Sequence, residues 1–177
     1  MTTLPTPVTA PLMSTDASSS GSADALPPIA DLVPHSGAMC LLDSVLEIGE
    51  EHLIARITPD RQDPFANDHG IPGWVGLEWL AQAIAAWSGR AAREAGGEPR
   101  IGFLLGSRHY HCDVEHFVFD SPVEVKVELD YRADNGLGAF RGELRDTEDR
   151  HLAHATLNVF QPDSAETLSA MLEDSAP

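Results

Sequence analysis

Residues 74–87 read WVGLEWLAQAIAAW, a run that is apolar on nearly every side when wound at 3.6 residues per turn. Such a helix offers no broad face to water and needs cover on most of its surface. The pattern predicts one helix from Trp74 to Ala95, polar after Ser88 and stopped by Gly96–Gly97. Before it, Pro59, Pro64, Gly70, Pro72 and Gly73 mark residues 59–73 as a loop.

Strand signals lie on both sides. Met39 to Ile48 reads as an early strand, preceded by a short helical turn at Ile29 to Val33. His52 to Ile57 reads as its hairpin partner across a polar GEE turn. After the helix, Ile101 to Leu105 is a short apolar run continuing through Tyr110. Val123 to Tyr131 alternates strictly, with Val123, Val125, Val127, Leu129 and Tyr131 on one face and Glu124, Lys126, Glu128 and Asp130 on the other. Asn135–Gly136 is a hairpin turn signal, followed by strands at Ala139 to Leu144 and Leu152 to Phe160. Two strands, one buried helix and about four more strands make an α+β fold. A curved antiparallel sheet wrapped around one long central helix supplies the cover the helix needs; a flat sandwich is the alternative.

A length of 177 residues suits one domain. Residues 1–28 read as a disordered tail, Ser-rich and poor in apolar residues; 29–162 as the folded domain; and 163–177 as a flexible acidic tail with at most a short helix at Glu166 to Leu172. The first twelve residues carry no basic group and no long apolar stretch, so no secretory signal is read there, and no apolar run reaches the ~20 residues of a membrane span. A cytoplasmic location is expected. Cys40 and Cys112 fit no spacing motif; a reduced pair is favoured, and a single disulfide stays open. The net charge of −17 argues against nucleic acid and anionic membrane as partners. Arg90, Arg93, Arg100 and Arg108 form a local basic exception, readable as a docking patch or as ordinary solvated charge.

Several residues can carry chemistry. Glu78 stands among Leu77, Trp79 and Leu80. An ionised carboxylate in apolar surroundings is costly unless compensated, and a carboxyl that keeps its proton near neutrality suits a general acid. Gln82, one turn later, either holds that carboxyl or bonds backbone as a core amide. His69, in the loop beside Asp68, suits a general base or a loop-closing hydrogen bond. Gly73, Val75 and Gly76 open the helix, where free N–H groups can polarise a substrate carbonyl; equally, they serve only the turn. His109, His111, Cys112 and His116 match no metal-site spacing, so no metal is expected. No cofactor motif is present. His35 is placed with the N-terminal segment, and Trp74, Trp79 and Trp87 with the core or a subunit contact.

Three stretches carry a resemblance: VPHSGAMCLLDSVLE at 33–47, HGIPGWVGLEWLAQA at 69–83 and IGFLLGSRHY at 101–110. In this order they resemble the bacterial 3-hydroxyacyl-acyl carrier protein dehydratases, and with NVFQP at 158–162 the chain looks most like the ApeP-like branch, associated with aryl polyene pigment clusters. The resemblance spans roughly residues 30–162. It implies the hotdog fold, dimerised by joining two sheets, and syn elimination of water from a 3-hydroxyacyl thioester held on acyl carrier protein. It gives Glu78 the leaving hydroxyl and His69 the C2 proton, the two groups coming from opposite subunits. Only nine positions separate His69 from Glu78, with one Pro72–Gly73 step, a shorter loop than in the housekeeping enzymes. That shortening motivates a second reading, a dehydratase-like partner subunit in a hotdog heterodimer. A hotdog acyl thioesterase is the third.

Overall fold

The structure, a computed structural model, describes residues 26–162. Most of the segment read as an N-terminal tail, and all of the acidic C-terminal one with its short helix, lie outside these residues.

The long helix α1 runs Gly76–Glu94, entered through a 3-10 turn at Gly73–Val75. Around it the strands are β1 (Ser44–Ile48), β2 (His52–Ile57), β4 (Phe103–Ser107), β5 (His111–Cys112), β7 (Val123–Arg132), β8 (Leu137–Asp146) and β9 (His151–Phe160). They form one antiparallel sheet in the order β1-β2-β7-β8-β9-β4, with β5 also paired to β9. Two short strands, β3 (Ile71–Pro72) and β6 (His116–Phe117), make a second antiparallel pair. This is the expected hotdog arrangement, a curved sheet around one long helix.

The inner face of the sheet alternates as period two requires. Leu53, Ala55 and Ile57, then Val123, Val125 and Val127, then Ala153, Ala155 and Leu157 are all buried. Against them α1 buries Trp79, Leu80, Ala83, Ile84 and Ala86. Small residues on the sheet let the helix approach closely: a Cβ at Gly142 would stand 2.8 Å from Leu80 Cδ2. Trp79 stacks on Phe117 with ring centroids 4.5 Å apart.

The structure departs from the sequence reading in three places. The early strand begins at Ser44 rather than Met39, because the backbone at Met39 and Leu41 bonds the Gln82 side chain of α1 instead of a neighbouring strand. The run after the helix is strand only over β4 and ends at Ser107 instead of continuing through Tyr110; β5, just beyond it, pairs separately with β9. Tyr131, expected on the inner face, is exposed, since the β7–β8 register shifts between Leu129 and Tyr131. The tryptophans also separate: Trp79 is core, Trp87 packs edge-on against Phe140, and Trp74 stands 60% exposed at the helix entrance. Both cysteines are free thiols, and burial pushes Cys40 above its ordinary value.

Candidate active site

Gln82 organises the site. It is fully buried, and a buried amide must find partners for both ends. Its Oε1 accepts from the Leu41 backbone N–H at 3.0 Å, and its Nε2 donates to the Met39 carbonyl at 2.9 Å. A backbone donor and a backbone acceptor fix which end of the amide is which. Nε2 therefore also donates to Glu78 Oε1, at 3.0 Å, one helical turn earlier. The two roles weighed for Gln82 are both filled: it holds the carboxyl and bonds backbone.

Glu78 is less enclosed than its apolar neighbours imply. Its side chain is 34% exposed, because α1 turns this face toward a cavity rather than toward the sheet. The cavity has a volume of about 580 Å³. Glu78, Ala81, Ala85 and Ser88 line it along one stripe of the helix, at the spacing of a single helical face. From Glu78 to Ser88 that stripe runs ~15 Å at 1.5 Å per residue. The two alanines leave room where larger residues would fill it. Phe103 and Leu104 of β4, with Val159 and Phe160 of β9, wall one side, and Leu129 and Arg132 of β7 also line the cavity.

His35 lies at the Glu78 end. It lines the same cavity, and its Nε2 stands 3.8 Å from Glu78 Oε1. The sequence reading placed this histidine with the N-terminal segment and gave it no part in chemistry. No spacing rule links positions 35 and 78; the signal lay only in the Pro34–His35 pair of the first resembling stretch.

His69 lies elsewhere in the protomer. It is exposed, its N–H donates to Asn67 Oδ1 at 2.8 Å, and its ring meets the His116 ring at 5.6 Å. It does not line the cavity that holds Glu78. Gly73, Val75 and Gly76 are buried at the helix entrance and do not line it either. The Gly73 N–H donates to the Glu115 carbonyl at 2.8 Å, and the Gly76 N–H returns to the Gly73 carbonyl. Both donors are therefore occupied within the protein, one across to Glu115 and one inside the turn. The Gly73 carbonyl also accepts from the Tyr110 hydroxyl, which burial pushes far above the usual phenol range.

Several other histidines pair among themselves and with acids. His111 meets Asp113 at 3.0 Å, and the His111 and His151 rings both contact His154. Among the described residues no group of three or more His, Cys, Asp or Glu is placed to hold a metal ion. In the basic stretch, Arg93 pairs with Asp31 at 2.9 Å and Arg90 with Glu94 at 3.5 Å. No helix among the described residues is long and apolar enough to cross a membrane.

The profile of the ApeP-like family, described as ApeP dehydratase, matches residues 27–172. The dehydratase heterocomplex ApeI:P from Xenorhabdus doucetiae is similar at 31% identity, over 81% of this chain and 97% of that one, with a TM-score of 0.73. A hypothetical thioesterase with coenzyme A from Streptococcus pneumoniae TIGR4 is similar at 13% identity, over 67% and 84% of the two chains, with a TM-score of 0.52. The PaaI protein from the phenylacetic acid degradation operon of E. coli is similar at 9% identity, over 67% and 78%, also at 0.52. The last two share the fold alone. No curated protein matches the chain by sequence.

Proposed function

The chain belongs to the ApeP-like dehydratase family and is a hotdog-fold dehydratase, and we propose that it removes water from 3-hydroxyacyl thioesters carried on acyl carrier protein. The observation that carries this reading is the Glu78 carboxyl, held by buried Gln82 at one end of a groove lined by alanines. The groove accommodates an extended acyl chain along α1, with C3 beside Glu78. Glu78 donates the proton that converts the leaving hydroxyl to water, a general-acid role worth ~10²–10⁴-fold.

The setting is fatty acid, polyketide or aryl polyene pigment synthesis in the cytoplasm. The chain works as a dimer, with a second copy or with another hotdog subunit. Exposed Ile101, Leu104 and Leu105 in and beside edge strand β4 favour such pairing, and the similar solved complex joins two different dehydratase subunits. The C2 proton needs a base: the family resemblance offers His69 of a second subunit, while His35 lies beside Glu78 in the same protomer. Gly73, Val75 and Gly76 at the helix opening are the residues the sequence offers for the thioester carbonyl.

The test is product analysis on the full chain, alone and with a co-encoded hotdog subunit, using a 3-hydroxyoctanoyl thioester on acyl carrier protein. The 2-enoyl thioester is expected. Release of free acid instead would make the protein a thioesterase. Activity that belongs wholly to the second subunit would make it a structural partner.

A further inference from the structure

The geometry points to His35 as the base that takes the C2 proton, acting from the same subunit as Glu78. The assignment rests on the dehydratase function proposed above and adds to it the identity and origin of the second catalytic group.

Three observations place His35 at the reaction. Its Nε2 is 3.8 Å from Glu78 Oε1, and both side chains line one cavity. They are similarly exposed, 31% and 34%, so each is reached from that cavity without being free in solvent. The other ring nitrogen, Nδ1, is buried with no hydrogen-bond partner among the described residues, which leaves Nε2 as the nitrogen facing Glu78.

A fourth observation is how firmly His35 is mounted. The segment carrying it crosses α1 and is fastened on both sides. Before His35, Asp31 pairs with Arg93 at 2.9 Å, and Leu32 is fully buried with its carbonyl packed over Gly89, where a Cβ would come within 1.9 Å. After His35, Met39 and Leu41 are bonded by Gln82. Gln82 is the residue that also holds Glu78. One side chain therefore sets the position of the acid and anchors the strap that bears the base, the kind of support a preorganised pair requires.

The step balances within this pair. His35 Nε2 takes the proton from C2, and the C2–H electrons become the C2=C3 double bond. The C3–O bond breaks with its electron pair on oxygen, and the Glu78 carboxyl proton converts that oxygen to water. The pair is left as imidazolium and carboxylate, and return of the proton from His35 to Glu78 restores it without a further reactant. Acid and base on one wall of the groove act on one face of the substrate, which gives syn elimination. His69, exposed and stacked near His116, is not needed for the step.

The test uses the full chain, alone and with the co-encoded hotdog subunit, and a 3-hydroxyoctanoyl thioester on acyl carrier protein in D₂O. Enoyl formation and deuterium entry at C2 are measured for wild type and for His35→Gln, His35→Ala, His69→Ala and Glu78→Gln. His35→Gln keeps a polar side chain but no base. It is expected to lose ~10²–10⁴-fold of both signals. Added imidazole is expected to restore C2 exchange to His35→Ala, a rescue that a structural role would not give. His69→Ala is expected to stay within tenfold of wild type. Full activity of His35→Gln beside an inactive Glu78→Gln would overturn the assignment of His35 and leave the dehydratase reading standing. So would loss at His69 alone. An active Glu78→Gln, or a wild type that forms no enoyl product in either setting, would overturn both.

Discussion

At the scale of single residues the site depends on an amide. Gln82 satisfies a backbone donor, a backbone acceptor and a carboxylate at once, all from a fully buried position. Replacing it by leucine keeps the volume but leaves the Leu41 N–H and the Met39 carbonyl without this partner. Each buried group left unpaired costs roughly 1–3 kcal/mol. Gln82→Leu is therefore expected to lower the denaturant midpoint clearly and to reduce activity more than stability alone explains, because Glu78 and the His35 strap both lose their hold. A variant with an unchanged midpoint would contradict this role. The residue type at position 82 and its one-turn spacing from Glu78 were readable in the sequence. The backbone partners at 39 and 41 were not, since they lie more than forty positions away and only the tertiary fold brings them to the helix.

Among the elements, the helix was the most legible and its surroundings less so. Periodicity predicted α1 and the alternating strand β7 because each obeys one repeat over many residues. The segment 29–43 obeys none. It is a strap of two 3-10 turns held by α1 through Gly89, Arg93 and Gln82, so its reading as the start of a strand failed at Met39, as did the reading of Tyr131 beyond a bulge. The dependence of the strap on α1 makes Gly89 informative. A methyl there meets the Leu32 carbonyl, backbone that cannot swing aside. Gly89→Ala is expected to destabilise by ~1–3 kcal/mol, as overpacking does, although alanine favours helix over glycine. Thermal melting with an activity assay checks this; unchanged melting and rate would show that the strap is not clamped at that point.

Over the whole molecule, the sheet closes around the helix but leaves β4 as an edge, with Leu105 58% exposed and Ile101 and Leu104 exposed near it. An exposed apolar edge is a pairing surface or a liability. The cavity beside it takes Phe103 and Leu104 as part of its wall, so a second subunit joined at β4 would also bound the acyl groove. Leu105→Lys places a charge on that edge. Light scattering is expected to give a dimer for wild type and a 19.0 kDa monomer for the variant; a monomeric wild type, alone and with a co-encoded hotdog subunit, would contradict the assembly. The sequence showed that an edge had to exist, while which strand it was depended on strand order, which no local pattern encodes.

Dehydration by this chain turns on Glu78 acting as an acid. The most direct measurement is the rate of 2-enoyl thioester formation from a 3-hydroxyoctanoyl thioester on acyl carrier protein, for wild type and Glu78→Gln, with folding checked by circular dichroism. Glutamine keeps the size and the hydrogen bond acceptor facing Gln82 but has no acid proton to give. The predicted result is a fall of ~10²–10⁴-fold at unchanged fold. A folded Glu78→Gln protein within tenfold of the wild-type rate would contradict it.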